Sequence, residues 1–100
     1  PYTEYKKNYV LARLYEKSQD YQMALLFYEQ IVKENYPLSE RVLFHLGNVK
    51  AITGNDKEAI KYFNELLTRF PDSPSVPQTK YYLAQAQLRL RLPDKAYENF

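Results

Sequence analysis

The sequence predicts an all-α fold built as a solenoid of antiparallel helix pairs, and three observations carry that prediction. Leu11-Ala12, Leu46-Gly47 and Leu83-Ala84 recur at spacings of 35 and then 37 residues. Ala24, Ala59 and Ala96 follow these pairs at a constant offset of 12, and Tyr28, Phe63 and Phe100 repeat the same rhythm. Turn residues punctuate the chain between these columns and leave stretches of helix length. A fixed period in this range marks a stacked array of helical hairpins.

In chain order the predicted helices are 3–18, 20–35, 39–53, 56–69, 76–91 and 93–100. Ser18-Gln19-Asp20 ends the first, and Tyr36-Pro37 the second. Between the third and fourth lies Thr53-Gly54-Asn55-Asp56, where Gly54 reads as a helix C-cap and Asn55, followed by Glu58, as an N-cap with its capping-box partner. Phe70-Pro71-Asp72 stops the fourth. Within the fifth, Gln85-Ala86-Gln87-Leu88-Arg89-Leu90-Arg91-Leu92 alternates polar and apolar residues as a strand would. No other segment alternates to pair with it, and Ala, Gln, Leu and Arg are good helix formers. As a helix this stretch is apolar on two sides, Leu88 and Leu92 on one and Leu90 on another, which predicts burial between two neighbours. Pro93 suits the first turn of the sixth helix, where its missing N–H would be unsatisfied anyway. Asp56-Lys57 and Asp94-Lys95 put charges in first turns that answer the helix dipole.

The small-residue columns have a steric reason. Where antiparallel helices cross closely, a side chain larger than Ala would push the backbones apart, and a large aromatic one turn on fills the space beside the contact. Ala24 with Tyr28, and Ala59 with Phe63, are such pairs.

Composition bounds the function. One hundred residues, 45% of them hydrophobic, allow one compact domain or a short solenoid. The net charge of +2 comes from acidic and basic residues interspersed along the chain, with no polybasic arm or acidic tail, so the attraction to a nucleic-acid backbone is too small and nucleic acid is not the expected partner. Cysteine is absent, which removes disulfides, thiolate metal sites and cysteine nucleophiles together. No apolar run reaches the roughly 18 residues of a membrane span, so direct membrane insertion is not expected. The opening Pro1-Tyr2-Thr3 reads as the start of an excised or processed piece, with any targeting signal outside it. The sequence stops inside its third hairpin without the polar cap that a solenoid end needs, which predicts continuation beyond Phe100 or cover by another subunit.

A search for chemistry returns little. His45, the only histidine, excludes multi-histidine metal sites and reads as a partly buried structural residue. Glycine is limited to Gly47, a packing position, and Gly54, which excludes phosphate-cradling loops. Glu29, Glu34, Glu58 and Glu65 fall on presumed outer faces and read as solvated surface. Neither catalysis nor a metal or other cofactor is expected.

The pattern Leu46, Gly47, Gly54, Ala59, Phe63 and Pro71 resembles the tetratricopeptide repeat (TPR) family, whose signature is Leu-Gly early in helix A, an Ala and an aromatic in helix B, and a closing Pro. The resemblance covers the whole chain as one TPR-like domain, 1–100, with repeats at about 5–39 and 40–76 and a truncated third at 77–100. The first repeat departs from the pattern with Asn8 in place of a large aromatic and with Pro37 one residue late. Lys50 and Gln87 stand where an aromatic is usual, although Tyr15 keeps it in repeat one. The family resemblance implies a right-handed superhelix whose A helices line a concave groove.

Carried over by register, the resemblance assigns Lys6, Tyr9, Arg13, Glu16 and Lys17 of the first repeat to that groove. The second contributes Arg41, Phe44, Asn48, Ala51 and Ile52, and the third Gln78, Tyr81, Gln85, Leu88 and Arg89. The candidate partner-binding residues among them are Lys6, Tyr9, Arg13, Lys17, Arg41, Phe44, Asn48, Tyr81, Gln85 and Arg89. Tyr9, Phe44 and Tyr81 form an aromatic row, and the flanking cations outnumber Glu16, which suits an extended peptide with apolar anchors and acidic groups. The carboxylate clamp of chaperone-binding members needs Lys and Asn where this sequence has Tyr9 and Arg13, so chaperone tails are not the expected ligand.

Phe70-Pro71-Asp72-Ser73-Pro74, with Pro77 and Tyr82-Leu83-Ala84, is similar to the inter-repeat pattern of bacterial cell-envelope members, the outer-membrane assembly lipoproteins and Tol-Pal-associated proteins. That likeness implies a periplasmic protein organising an envelope complex; a cytoplasmic adaptor would carry the same core columns. Two other roles fit the residues. One is a non-catalytic docking or regulatory segment of a larger enzyme, such as one acting on cell wall. The other is self-association through the apolar surface of the third repeat, around Leu88, Leu90, Leu92 and Phe100.

Overall fold

The computed structural model describes residues 2–91 as five helices, α1 (Tyr2–Lys17), α2 (Tyr21–Lys33), α3 (Glu40–Ile52), α4 (Asp56–Arg69) and α5 (Val76–Arg91). The fold is the expected all-α repeat, with no strand among the described residues. The alternating stretch of α5 is helical through Arg91. The predicted helix 93–100, with Pro93, Ala96 and Phe100, lies outside the described residues, as does Leu92.

Each boundary has a local cause. Ser18 donates its hydroxyl to the carbonyls of Leu14 and Tyr15, and Gln19 turns left-handed at φ 64°. Asp20 then caps α2, its carboxylate accepting from the Met23 N–H at 3.2 Å. Asn35, at φ 61°, ends α2 two residues before the predicted limit, since a left-handed residue cannot continue the helix. Ser39 caps α3 by accepting from the Val42 N–H. Gly54 follows α3 at φ +87°, the conformation expected of it there.

One predicted cap is absent. Asn55 precedes α4 but accepts no N–H from its first turn; its amide donates to Thr53 Oγ1 at 3.2 Å instead. Glu58, the expected capping-box partner, reaches Lys50 on α3.

The turns between helices are short, so α1 packs on α2, α3 on α4 and α4 on α5, while α2 meets α3 and α5 touches α3 more sparsely. Ala24, Tyr28, Ala59 and Phe63 are fully buried, as the small-residue argument requires. Gly47 shows the tightest fit: a Cβ there would lie 2.6 Å from Phe63 Cε1, so the backbone of α3 reaches the Phe63 ring only because no side chain intervenes. The third copy of this column behaves differently. Ala84 is exposed, and Leu88 and Leu90 are each 49% exposed rather than buried between neighbours.

Glu29 and Glu58 keep 42% and 53% of their side chains exposed, as the surface assignment expects, but both also reach a buried partner. Lys50 is 7% exposed, and its ammonium lies 3.1 Å from Glu29 of α2 and 3.2 Å from Glu58 of α4. A lysine where the family has an aromatic thus ties three helices together by charge. Burial alone would lower its pKa, but the two carboxylates outweigh that and raise it. Glu65 does behave as surface, in an i,i+4 pair with Arg69 at 2.7 Å.

Candidate functional site

The A helices α1, α3 and α5 present the face on which the candidate residues lie, and two clefts open between them. The first has a volume of about 370 Å³. Tyr9 and Arg13 form its α1 wall, and Arg41, Phe44 and His45 its α3 wall. Glu40 and the α4–α5 connection at Pro74-Ser75 complete the rim. The second, about 200 Å³, lies between Asn48, Ala51 and Ile52 of α3 and Tyr82, Gln85 and Arg89 of α5.

Helical spacing explains these walls. Tyr9 and Arg13 are one turn apart, as are Arg41, Phe44 and Asn48, so each set projects from one side of its helix. Seven of the ten candidates line the two clefts; Lys6, Lys17 and Tyr81 line neither. Tyr81 is 61% exposed, with its ring 5.9 Å from that of Tyr82. Its neighbour Tyr82 lines the second cleft, with its ring 6.0 Å from Phe44 and 6.3 Å from Phe63. Tyr82, Gln85 and Arg89 share a helix face, a spacing that could have marked Tyr82 in the sequence.

The face is also less cationic than its sequence suggests. Arg13 pairs with Glu16 at 3.2 Å, and Arg89 with Asp56 of α4 at 2.9 Å. Glu40 adds a carboxylate to the first cleft. Arg41, by contrast, is exposed and makes no ion pair among the described residues.

Below the first cleft a polar network joins three helices. Glu16 accepts from the Tyr28 hydroxyl at 2.8 Å and sits 3.5 Å from His45 Nδ1, while Arg13 Nη1 approaches that same nitrogen at 3.3 Å. The two contacts at Nδ1 alternate: a lone pair accepts from the guanidinium, and a proton faces the carboxylate. His45 is half-buried, as the sequence suggested, with Phe44 edge-on to it at 5.2 Å. Burial raises the Glu16 pKa, yet the bonds from His45 and Tyr28 and the nearby charges of His45 and Arg13 outweigh it and hold Glu16 below the ordinary carboxyl range. Burial and the bond to Glu16 push the Tyr28 hydroxyl well up.

A carboxyl depressed in the folded state contributes stability above its unfolded pKa, about 4.3, which is lost as pH falls through the folded value. Glu16→Gln should therefore cost about 1 kcal/mol at pH 7 and progressively less below pH ~4. Urea midpoints measured across this range check it; a cost that does not change with pH would show that Glu16 acts through packing alone.

These features define a helical-repeat solenoid whose A-helix face carries two clefts. Residues 9–74 match the model of the tetratricopeptide repeat family, and the chain belongs to that family. Tetratricopeptide repeats generally mediate protein–protein interaction. No match was found among curated proteins or among solved structures. Among the described residues, no helix is long and apolar enough to cross a membrane, and no cluster of side chains could hold a metal ion.

Proposed function

We propose that the chain is a protein-interaction scaffold that holds an extended segment of a partner protein along its A-helix face. The observation that carries this reading is the first cleft, where the half-buried rings of Tyr9 and Phe44 lie beside an exposed Arg41 that has no counter-ion among the described residues. An apolar side chain of the partner would enter between the rings, and an adjacent acidic group would meet Arg41. The second cleft, with Asn48 and Gln85 as neutral hydrogen-bonding groups, would hold the backbone of the same segment. Organisation of a bacterial envelope complex in the periplasm is the setting favoured by the Phe70-Pro71-Asp72-Ser73-Pro74 pattern, and docking within a larger enzyme would use the same face.

A photo-crosslinking residue placed at Arg41, with one at exposed Asn64 on α4 for comparison, tests the face. The expected result is one protein captured from the Arg41 position, whose purified form binds Arg41→Glu roughly 10-fold or more weakly than the native chain. Capture from Asn64 alone, or binding indifferent to Arg41→Glu, would move the site off this face.

A further inference from the structure

Under the first cleft, Arg13, Glu16 and His45 stand within reach of more contacts than their atoms can make at once. Arg13 Nη1 lies 3.2 Å from Glu16 Oε1 and 3.3 Å from His45 Nδ1, and that Nδ1 lies 3.5 Å from Glu16 Oε2. A ring nitrogen either accepts through its lone pair or donates through its proton. With the lone pair free, Arg13 is held by both neighbours. With both ring nitrogens protonated, Nδ1 cannot accept from the guanidinium, two cations face each other across 3.3 Å, and Glu16 Oε2 becomes the acceptor for His45.

Packing decides which member moves. Glu16 is anchored by the Tyr28 hydroxyl at 2.8 Å, and the His45 ring packs against Tyr9 at 6.4 Å and Phe44 at 5.2 Å. The Arg13 side chain is 29% exposed against 12% for Glu16, and it lines the cleft, so the guanidinium has somewhere to go. His45 lines the cleft as well and is within reach of protons from solvent. Glu16, held below the ordinary carboxyl range, keeps its charge in mild acid. The charged and titratable groups around His45 are Tyr9, Arg13 and Glu16 of α1, Tyr28 of α2 through Glu16, and Glu40 and Arg41 of its own helix on the same cleft. The α4–α5 connection adds Pro74 and Ser75, and among the described residues no charged group of α4 or α5 lines this cleft.

We propose that His45 is a proton-operated latch on the first cleft: uncharged, it holds Arg13 down beside Glu16, and protonated, it takes Glu16 for itself and releases the Arg13 guanidinium into the cleft. Histidine is the side chain that ordinarily changes charge between about pH 5 and 8, so mild acid is the signal. The cleft then offers an acidic group of a partner Arg13 as well as Arg41, and affinity rises on acidification. That gain rests on the docking reading above, whereas the release of Arg13 belongs to the free chain.

Nitrogen NMR of the arginine and histidine side chains of the full chain, from about pH 8 to about pH 5.5, reads the latch without any partner. The expected result is Arg13 Nη signals that are separate at the alkaline end and averaged at the acid end, changing together with the His45 ring signals. Glu16→Gln, checked for helicity by circular dichroism, should leave Arg13 averaged at both ends, and His45→Gln should leave it held at both. Affinity for benzenesulfonate, an anion of constant charge with a ring for the Tyr9 and Phe44 walls, should tighten roughly 3–10-fold on acidification in the native chain and stay flat in His45→Gln. Arg13 signals that remain separate after His45 is protonated would overturn the proposal. So would an affinity for benzenesulfonate that does not change with pH, or a gain that persists in full in Arg13→Gln, which would make the imidazolium itself the anion site. Capture of a partner from Asn64 alone would remove the docking reading and leave the release of Arg13 to stand or fall on its own signals.

Discussion

Phe63→Ala is expected to lower the unfolding free energy by about 3–5 kcal/mol. The ring is fully buried, and its Cε1 lies 2.6 Å from where a Gly47 Cβ would stand. That closeness makes the loss severe. The α3 backbone at residue 47 has no side chain that could swing into the vacated volume, and on the other side Tyr82 is already engaged with Phe44. The cavity therefore stays largely open, and a domain with a total stability of about 5–15 kcal/mol loses a large share of it. Urea unfolding followed by circular dichroism measures this, with Tyr36→Ala, on a ring 53% exposed, as a surface comparison expected to stay within about 0.5 kcal/mol. Similar small losses for both variants would mean that Phe63 does not hold the centre of the stack.

The second large effect concerns Lys50 and has an unusual asymmetry. Replacing both of its partners, Glu29→Gln with Glu58→Gln, is expected to cost about 3 kcal/mol, because it leaves an ammonium 7% exposed with no charge to balance it. Lys50→Met should cost under about 1.5 kcal/mol, since the thioether fills a similar volume and the two carboxylates, whose side chains are 42% and 53% exposed, rehydrate. The sign of the pH dependence follows from the raised Lys50 pKa. Its stabilisation is complete below the ordinary lysine value of about 10.4 and is lost only as pH rises through the higher folded value. In the double variant only burial is left, which lowers that pKa, so the gap between the two variants should be widest at neutral pH and narrow as alkali removes the Lys50 proton. Chemical unfolding of both across neutral and alkaline pH checks this; equal costs at neutral pH would show that Lys50 serves as packing and not as a charge.

How much of this was legible in the sequence depended on whether the physics was periodic. Steric demands at Gly47, Ala24 and Ala59 recur with the hairpin, so the columns and the turn residues between them placed α4 and α5 at their observed limits and the other three helices within two residues. Interactions that occur once carry no such rhythm. Lys50 meets carboxylates 21 residues before it and 8 after it, a pairing that only the assembled hairpins create. Asn55 and Glu58 had the spacing of a capping box, but Lys50 offered Glu58 a full charge within reach, and that contact won over the cap. The candidate face was legible as a set of positions and not as a field. Arg13 and Arg89 sit where the register put them, yet Glu16 and Asp56 offset their charge. Tyr81 lines neither cleft; Tyr82, one residue and a rotation of about 100° further round the helix, is the ring that meets Phe44.

Burial is unevenly shared along the stack. Six residues of α3 are buried, against two in α5. In a linear array each hairpin is held only by its neighbours, so loss of structure need not be concerted and the less buried helices open at lower cost. Amide protons of α5 should then exchange with solvent through partial openings that leave α3 intact, and a protease would cut α5 before α3. The wall of the second cleft formed by Tyr82, Gln85 and Arg89 consequently opens and re-forms more often than its α3 wall. A ligand gripping both clefts would slow that opening, and its arrival would register as protection in α5 before any change in α3.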